Sequence, residues 1–176
     1  MRFTRGRPTR QLNQEAVAAY RDAVRLDPSN PKAHLALGIA LGETGKNEEA
    51  GESYKESIRL DPDFAAGHFN LGACYFTLHR YEEAIEPLKK CIKLNPDSPS
   101  IILILAQAYV LTGRFEEAVE AFHQSLKLKP NNARARFELC KVYLRLNNRR
   151  AAQEQYRELR KLDAELAKQL EGLIKD

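Results

Sequence analysis

Apolar and small residues recur along the chain at a spacing of 34. Ala16, Ala50, Ala84, Ala118 and Ala152 form one ladder, and Leu26, Leu60, Leu94, Leu128 and Leu162 a second. Leu37, Leu71, Leu105 and Leu139 form a third, and Pro28, Pro62, Pro96 and Pro130 a fourth. Four ladders in one register define an internal repeat, and the repeat sets the fold. Each proline follows Asp, Asn or Lys and cannot continue a helix, so it marks where a helix stops in every unit. Gly45 and Gly113 suit a turn inside the unit, where a left-handed backbone is cheap only for glycine.

The units fall at 31–64, 65–98, 99–132 and 133–162. The first carries Leu37-Gly38, Ala50, Tyr54 and Pro62. The second carries Leu71-Gly72, Tyr75, Ala84 and Pro96. The third has Leu105-Ala106, Tyr109, Ala118, Phe122 and Pro130, and the fourth Leu139-Cys140, Tyr143, Ala152 and Tyr156. This pattern resembles the tetratricopeptide repeat, a 34-residue helix–turn–helix written W-x2-L-G-x2-Y, then A-x3-F, then P. The resemblance implies an all-α fold, a right-handed α-solenoid of helix–turn–helix repeats. The small residues Gly38, Gly72, Ala106 and Cys140 let the two helices of a hairpin approach closely. The aromatics Tyr54, Tyr75, Tyr109, Phe122, Tyr143 and Tyr156 fill the space between hairpins. The tryptophan slot departs from the pattern, holding His34, His68, Ile102 and Arg136.

At the ends the pattern changes. Residues 1–10 read as a basic flexible arm with four arginines and no acid. Residues 11–30 read as the second helix of an incomplete repeat, with Ala16, Tyr20, Ala23 and Pro28 in register. Repeat four has Ala164 where its stop proline belongs, so 163–176 is expected to run on as a capping helix with Leu166, Leu170, Leu173 and Ile174 as its apolar stripe.

In this family the first helices line a concave groove that holds a ligand. The resemblance places Leu35, Ile39, Phe69, Asn70, Phe76, Leu103, Ile104, Gln107, Val110, Leu111, Phe137, Lys141, Leu144 and Arg145 on that inner face. The lysine–asparagine clamp that captures a peptide carboxylate in some members is absent. Its slots hold Leu35, Ile39, Asn70, Ser100 and Ile104, of which only Asn70 matches. What remains is apolar, and an apolar patch rimmed by charge marks an interaction site. The expected partner is a protein or a helical or extended apolar peptide. Leu35, Phe69, Leu103 and Phe137 lie near the helix–helix seam, where packing and binding are balanced readings.

Charge sharpens one end. The net charge is +4, but residues 11–132 carry 13 basic and 17 acidic side chains, whereas 133–161 carry nine basic and three acidic. That basic end could take an acidic partner or phosphates. It has little aromatic interleaving, so nucleic acid is the less favoured partner. Self-assembly through the uncovered N-terminal helix or the groove is the main competing reading. Cys74, Cys91 and Cys140 are too scattered for a metal site or a disulfide framework. The recurring pairs Glu48-Glu49, Glu82-Glu83 and Glu116-Glu117 sit where acids favour a helix N-terminus rather than where catalysis needs them. No nucleophile–base pair is recognisable, so the chain is expected to be non-catalytic and to need no cofactor or metal. No secretory signal or apolar run of spanning length is evident, which fits a cytoplasmic protein without a membrane segment.

Overall fold

The computed structural model describes residues 9–175. The arm expected over 1–10 therefore lies outside the described residues, apart from Thr9 and Arg10, which open the first helix. Every element among the described residues is helical. The chain divides into two compact units, Met1–Arg80 and Tyr81–Asp176, with the division between the two helices of repeat two.

The first unit contains α1 (Thr9–Leu26), α2 (Pro31–Glu43), α3 (Asn47–Leu60) and α4 (Ala65–Thr77), each packed on the next in sequence. Local chemistry sets their ends. The Asn30 side chain accepts hydrogen bonds from the backbone N–H groups of Lys32 and Ala33, and Pro31 opens α2 at a position where no donor is lost. Gly45 turns the chain with φ of 80°. Glu48 and Glu49 then sit in the first turn of α3, where the helix dipole favours them.

Packing inside this hairpin is close. A Cβ on Gly38 would lie 2.5 Å from Cε1 of Tyr54, so glycine is what leaves room for the Tyr54 ring against α2. Ser57, fully buried in α3, donates its hydroxyl to the Pro31 carbonyl at 2.7 Å. His34 and His68 occupy the tryptophan slot, are buried, and place Nε2 2.9 Å from the carbonyls of Pro28 and Pro62. A carbonyl only accepts, so Nε2 carries the proton in both rings. These histidines tie the start of each first helix to the stop proline before it.

The second unit contains α5 (Tyr81–Leu94), α6 (Pro99–Leu111), α7 (Phe115–Leu128), α8 (Ala133–Arg145), α9 (Arg149–Leu162), α10 (Ala164–Lys168) and α11 (Glu171–Lys175). The same devices recur with different residues. Ser125 donates to the Pro99 carbonyl at 3.0 Å, as Ser57 does to Pro31. Arg136, in the tryptophan slot, donates from Nη2 to the Pro130 carbonyl at 3.0 Å. Gly113 makes its turn with φ of 77°, and Asn147 holds the equivalent place at φ of 55°. In the first unit His79 does so at 58°. The hairpin turn is thus left-handed in all four repeats, including the two that lack glycine there.

The ladders sort by role. Ala50, Ala84, Ala118 and Ala152 are essentially inaccessible, and Leu37, Leu71, Leu105 and Leu139 are buried. The other leucine ladder is not core: Leu26, Leu128 and Leu162 are exposed and form the last residue of their helices.

The terminal segment differs from the single capping helix that its apolar stripe suggests. It forms two short helices, with Asp163 capping the first by accepting from the Leu166 N–H. Ala167, Leu170 and Ile174 are buried in one cluster with Phe137, Cys140, Ala152 and Leu159. Leu173 instead faces outward and is 59% exposed. The helix breaks at Gln169–Leu170, and Gly172 follows, so the stripe does not keep one face.

Candidate functional site

The first helices carry the residues expected to bind. In the first unit Ile39, on α2, is 40% exposed. Leu35, Phe69, Asn70 and Phe76 are half-buried. Asn70 donates its amide to the Ala66 carbonyl of its own helix. Ile39, Gly42 and Asn47 from repeat one, with Asn70, Ala73 and Thr77 from α4, line an inter-helix slot of about 300 Å³. Its walls, which also include Tyr54 and Cys74, carry no charge.

In the second unit Leu111 ends α6 and is 52% exposed. Leu103, Ile104, Gln107 and Val110 on the same helix are half-buried, as is Leu144 on α8. Lys141 and Arg145 are exposed. Phe137, expected on the inner face, is a core residue: it is 7% exposed and packs in the terminal cluster beneath Ala167, Leu170 and Ile174. Near the capping helices the seam position is buried rather than presented.

Repeat four has its own slot at the same repeat positions. Lys141, Leu144 and Arg149 stand where repeat one has Ile39, Gly42 and Asn47. With Arg145, Asn147 and Leu173 they line about 380 Å³. Lys141 pairs with Glu138 at 2.9 Å, and Glu138 also holds Arg134 at 2.9 Å. Arg145 and Arg149 make no ion pair among the described residues. Arg149 and Leu173 were outside the inner-face set; the basic composition of 133–161 was the only sequence signal for the first of them.

A second set of contacts escapes the repeat pattern. Arg80 stacks on Tyr75, with Cζ 4.8 Å from the ring centroid, and reaches Glu48 at 3.3 Å. In the second unit Arg114 does the same with Tyr109 at 4.8 Å and Glu82 at 3.2 Å. Glu48 and Glu82, the first acids of two of the three pairs, are therefore inter-repeat anchors as well as helix-start residues. The recurrence of a cation two residues before Glu82 and Glu116 was the available signal.

The chemistry available for catalysis is poor. The Cys74, Cys91 and Cys140 thiols are buried. Burial pushes Cys140 up to about 12, outweighing the opposite pull of Arg136, and burial also raises Cys74. Those two thiols stay protonated at neutral pH and are weak nucleophiles. His123 is exposed and contacts the Tyr143 hydroxyl at 2.7 Å, with no carboxylate in that contact. Among the described residues no group of three His, Cys, Asp or Glu side chains could hold a metal ion. No helix among them is long and apolar enough to cross a membrane.

Within each unit, helices packed on their neighbours in sequence, with alanine and leucine ladders buried between them, define a helical-hairpin repeat protein. Tetratricopeptide repeat models match residues 65–98 and 112–174, and a TPR repeat model matches 10–45 and 40–79. The chain belongs to the tetratricopeptide repeat family. Among solved structures it is similar to MamA, at 26% identity over 89% of this chain and 91% of that one, with a TM-score of 0.80. It is also similar to MamA from residue 41 onward from Desulfovibrio magneticus RS-1, at 20% identity, 86% of each chain and a TM-score of 0.78. YrrB, described as a TPR protein with an unusual peptide-binding site, aligns at 20% identity over 92% of this chain and 84% of its own, with a TM-score of 0.83. At 20% identity these last two likenesses concern the fold alone. No curated protein matches the sequence. The fold is that of a protein-interaction scaffold, with protein or peptide partners.

Proposed function

We propose that the chain holds an apolar helical or extended peptide against its first helices, without catalysis. The observation that carries this reading is the exposure of Ile39 and Leu111 on first helices, while the ladder residues of the same helices are buried. Leaving large apolar groups in water forgoes about 25 cal/mol for each Å² not buried, and a bound apolar ligand restores that burial. YrrB, similar in fold, is described as a TPR protein with an unusual peptide-binding site.

Methyl NMR of the full chain, titrated with a peptide selected against it by display, tests the reading. The methyl signals of Ile39, Leu103, Ile104, Val110 and Leu111 should shift, and those of the buried Ile85, Leu88 and Leu159 should not. Shifts confined to second helices would contradict it.

One observation favours a second reading, self-assembly. Tyr20 on α1 is 40% exposed, whereas Tyr54 and Phe122 at the same repeat position are 5% and 1% exposed. Light scattering across a concentration series decides it: a mass that stays that of one chain removes this reading.

A further inference from the structure

We propose that the slot of repeat four is a receptor for acidic side chains, seating the carboxylates of an acidic–apolar peptide between Arg145 and Arg149 with an apolar neighbour on Leu144 and Leu173. This rests on the peptide-binding reading above and names the partner chemistry at one end of it.

Three observations support the assignment. The same three repeat positions line a slot in repeats one and four, but Ile39, Gly42 and Asn47 have become Lys141, Leu144 and Arg149. The change is confined to the off-ladder positions; the alanine and leucine ladders run through both repeats unchanged. Next, Arg149 and Arg150 open α9, whereas α3, α5 and α7 each have two acids in the first turn. Cations at a helix N-terminus oppose the helix dipole, so this arrangement costs stability. A local rule broken on a sound scaffold is where function is sought. Last, Arg145 and Arg149 lack intramolecular acid partners among the described residues, although nearby Arg134, Lys141, Arg150 and Lys161 each have one.

A carboxylate-bearing peptide fits this slot better than a nucleic acid. Guanidinium groups take carboxylates in a planar fork. The remaining walls include Leu144 and Leu173, the latter 59% exposed, and no aromatic ring on which a base could stack.

The experiment is fluorescence polarisation of the full chain with a labelled peptide of repeating Glu-Glu-Leu, at near-physiological salt. Three competitors run alongside: the same peptide with Gln for Glu, the same with Ser for Leu, and a uridine oligonucleotide. Arg145→Glu with Arg149→Glu should weaken the Glu-Glu-Leu peptide by about tenfold or more. Arg157→Glu with Arg160→Glu makes the same charge change on α9 outside the slot, and should weaken it by less than about threefold. Leu173→Ser should weaken it several-fold, and the Gln peptide should not compete.

Equal losses in the two double variants would overturn the proposal, since that is general electrostatics. So would no binding, equal binding of the Gln peptide, or tighter binding of the oligonucleotide. Should charge reversal disturb α9, Arg145→Gln with Arg149→Gln makes the same comparison without adding acids. Leu111→Asp keeps the two readings apart. Loss of binding there with no loss in the slot variants overturns the slot and leaves the inner face standing. Retained binding there with loss in the slot variants does the reverse.

Discussion

Repeats one and four build the same hairpin from different residues. In repeat one, Gly38 lets Tyr54 lie against α2, two acids open α3, and the slot beside Ile39 is neutral. In repeat four, Cys140 takes the glycine's place, arginines open α9, and the slot beside Leu144 is cationic. Both turns are left-handed, through Gly45 in one and Asn147 in the other. The hairpin thus depends on a small set of ladder positions that tolerate few residue types. The positions between them differ in size and charge from one repeat to the other.

Four comparisons would break or sharpen that contrast. The largest expected effect is at Gly38. Gly38→Ala drives a methyl into the Tyr54 ring and should cost about 2 kcal/mol by overpacking. Gly42→Ala, one turn along the same helix, meets only the Tyr54 hydroxyl at an ordinary 3.8 Å. It should be neutral or gain up to about 1 kcal/mol from helix propensity. Urea unfolding of both variants measures the difference, and equal effects would mean that the close approach is not what Gly38 provides.

Next in size is the response to alkali. Burial raises Tyr54 to about 12 in repeat one and Cys140 to about 12 in repeat four. Each group holds its proton more tightly folded than unfolded, so its contribution is complete below the ordinary thiol or phenol pKa. It is lost as pH rises from there towards 12. Melting temperature should fall from about pH 9 upward. Tyr54→Phe should flatten the part above about pH 10, and Cys140→Ala the part that begins lower.

A smaller effect is expected at the turn. His79 is left-handed without being glycine, and His79→Gly should gain about 1 kcal/mol in the same unfolding assay. Asn147→Gly should gain less, because asparagine tolerates that region better. The smallest pair has opposite signs. Arg149→Glu should stabilise α9 by about 0.5 kcal/mol, whereas Glu49→Arg should destabilise α3 by a similar amount or somewhat more. Glu49 also loses its partners Arg21 and Lys46. A loss on Arg149→Glu would show that Arg149 has a structural partner after all.

Much of the fold was legible because its determinants repeat. Prolines marked the ends of α1, α3, α5 and α7, and the alanine ladder from Ala50 onward and the inner leucine ladder picked out residues that are buried. Features that occur once were harder to see. The leucines that close the second helices share the ladder's periodicity, yet Leu26, Leu128 and Leu162 are exposed, because periodicity reports register and not burial. His79 and Asn147 adopt a glycine conformation that only the shared turn geometry reveals. The C-terminal segment has a sound apolar stripe, but the break at Gln169–Leu170 turns Leu173 out of it. The candidate site was legible as a set of first-helix positions. Burial of Phe137 depends on the capping helices folding over it, and the slot of repeat four needs α8, α9 and α11 together, so neither could be read from one helix.

The central claim is that exposed apolar residues on the first helices bind a partner while the ladders hold the fold. The most direct test compares Leu111→Asp and Ile39→Asp with the wild-type chain for affinity towards a display-selected peptide, with a thermal melt of each. Affinity should weaken by about tenfold or more in both variants, since burying an unpaired carboxylate against an apolar ligand costs at least that much. The melting temperature should move by only a few degrees, because both side chains are solvent-exposed. Unchanged affinity with intact folding would contradict the claim, and so would a collapse of the melt, which would place these residues in the core.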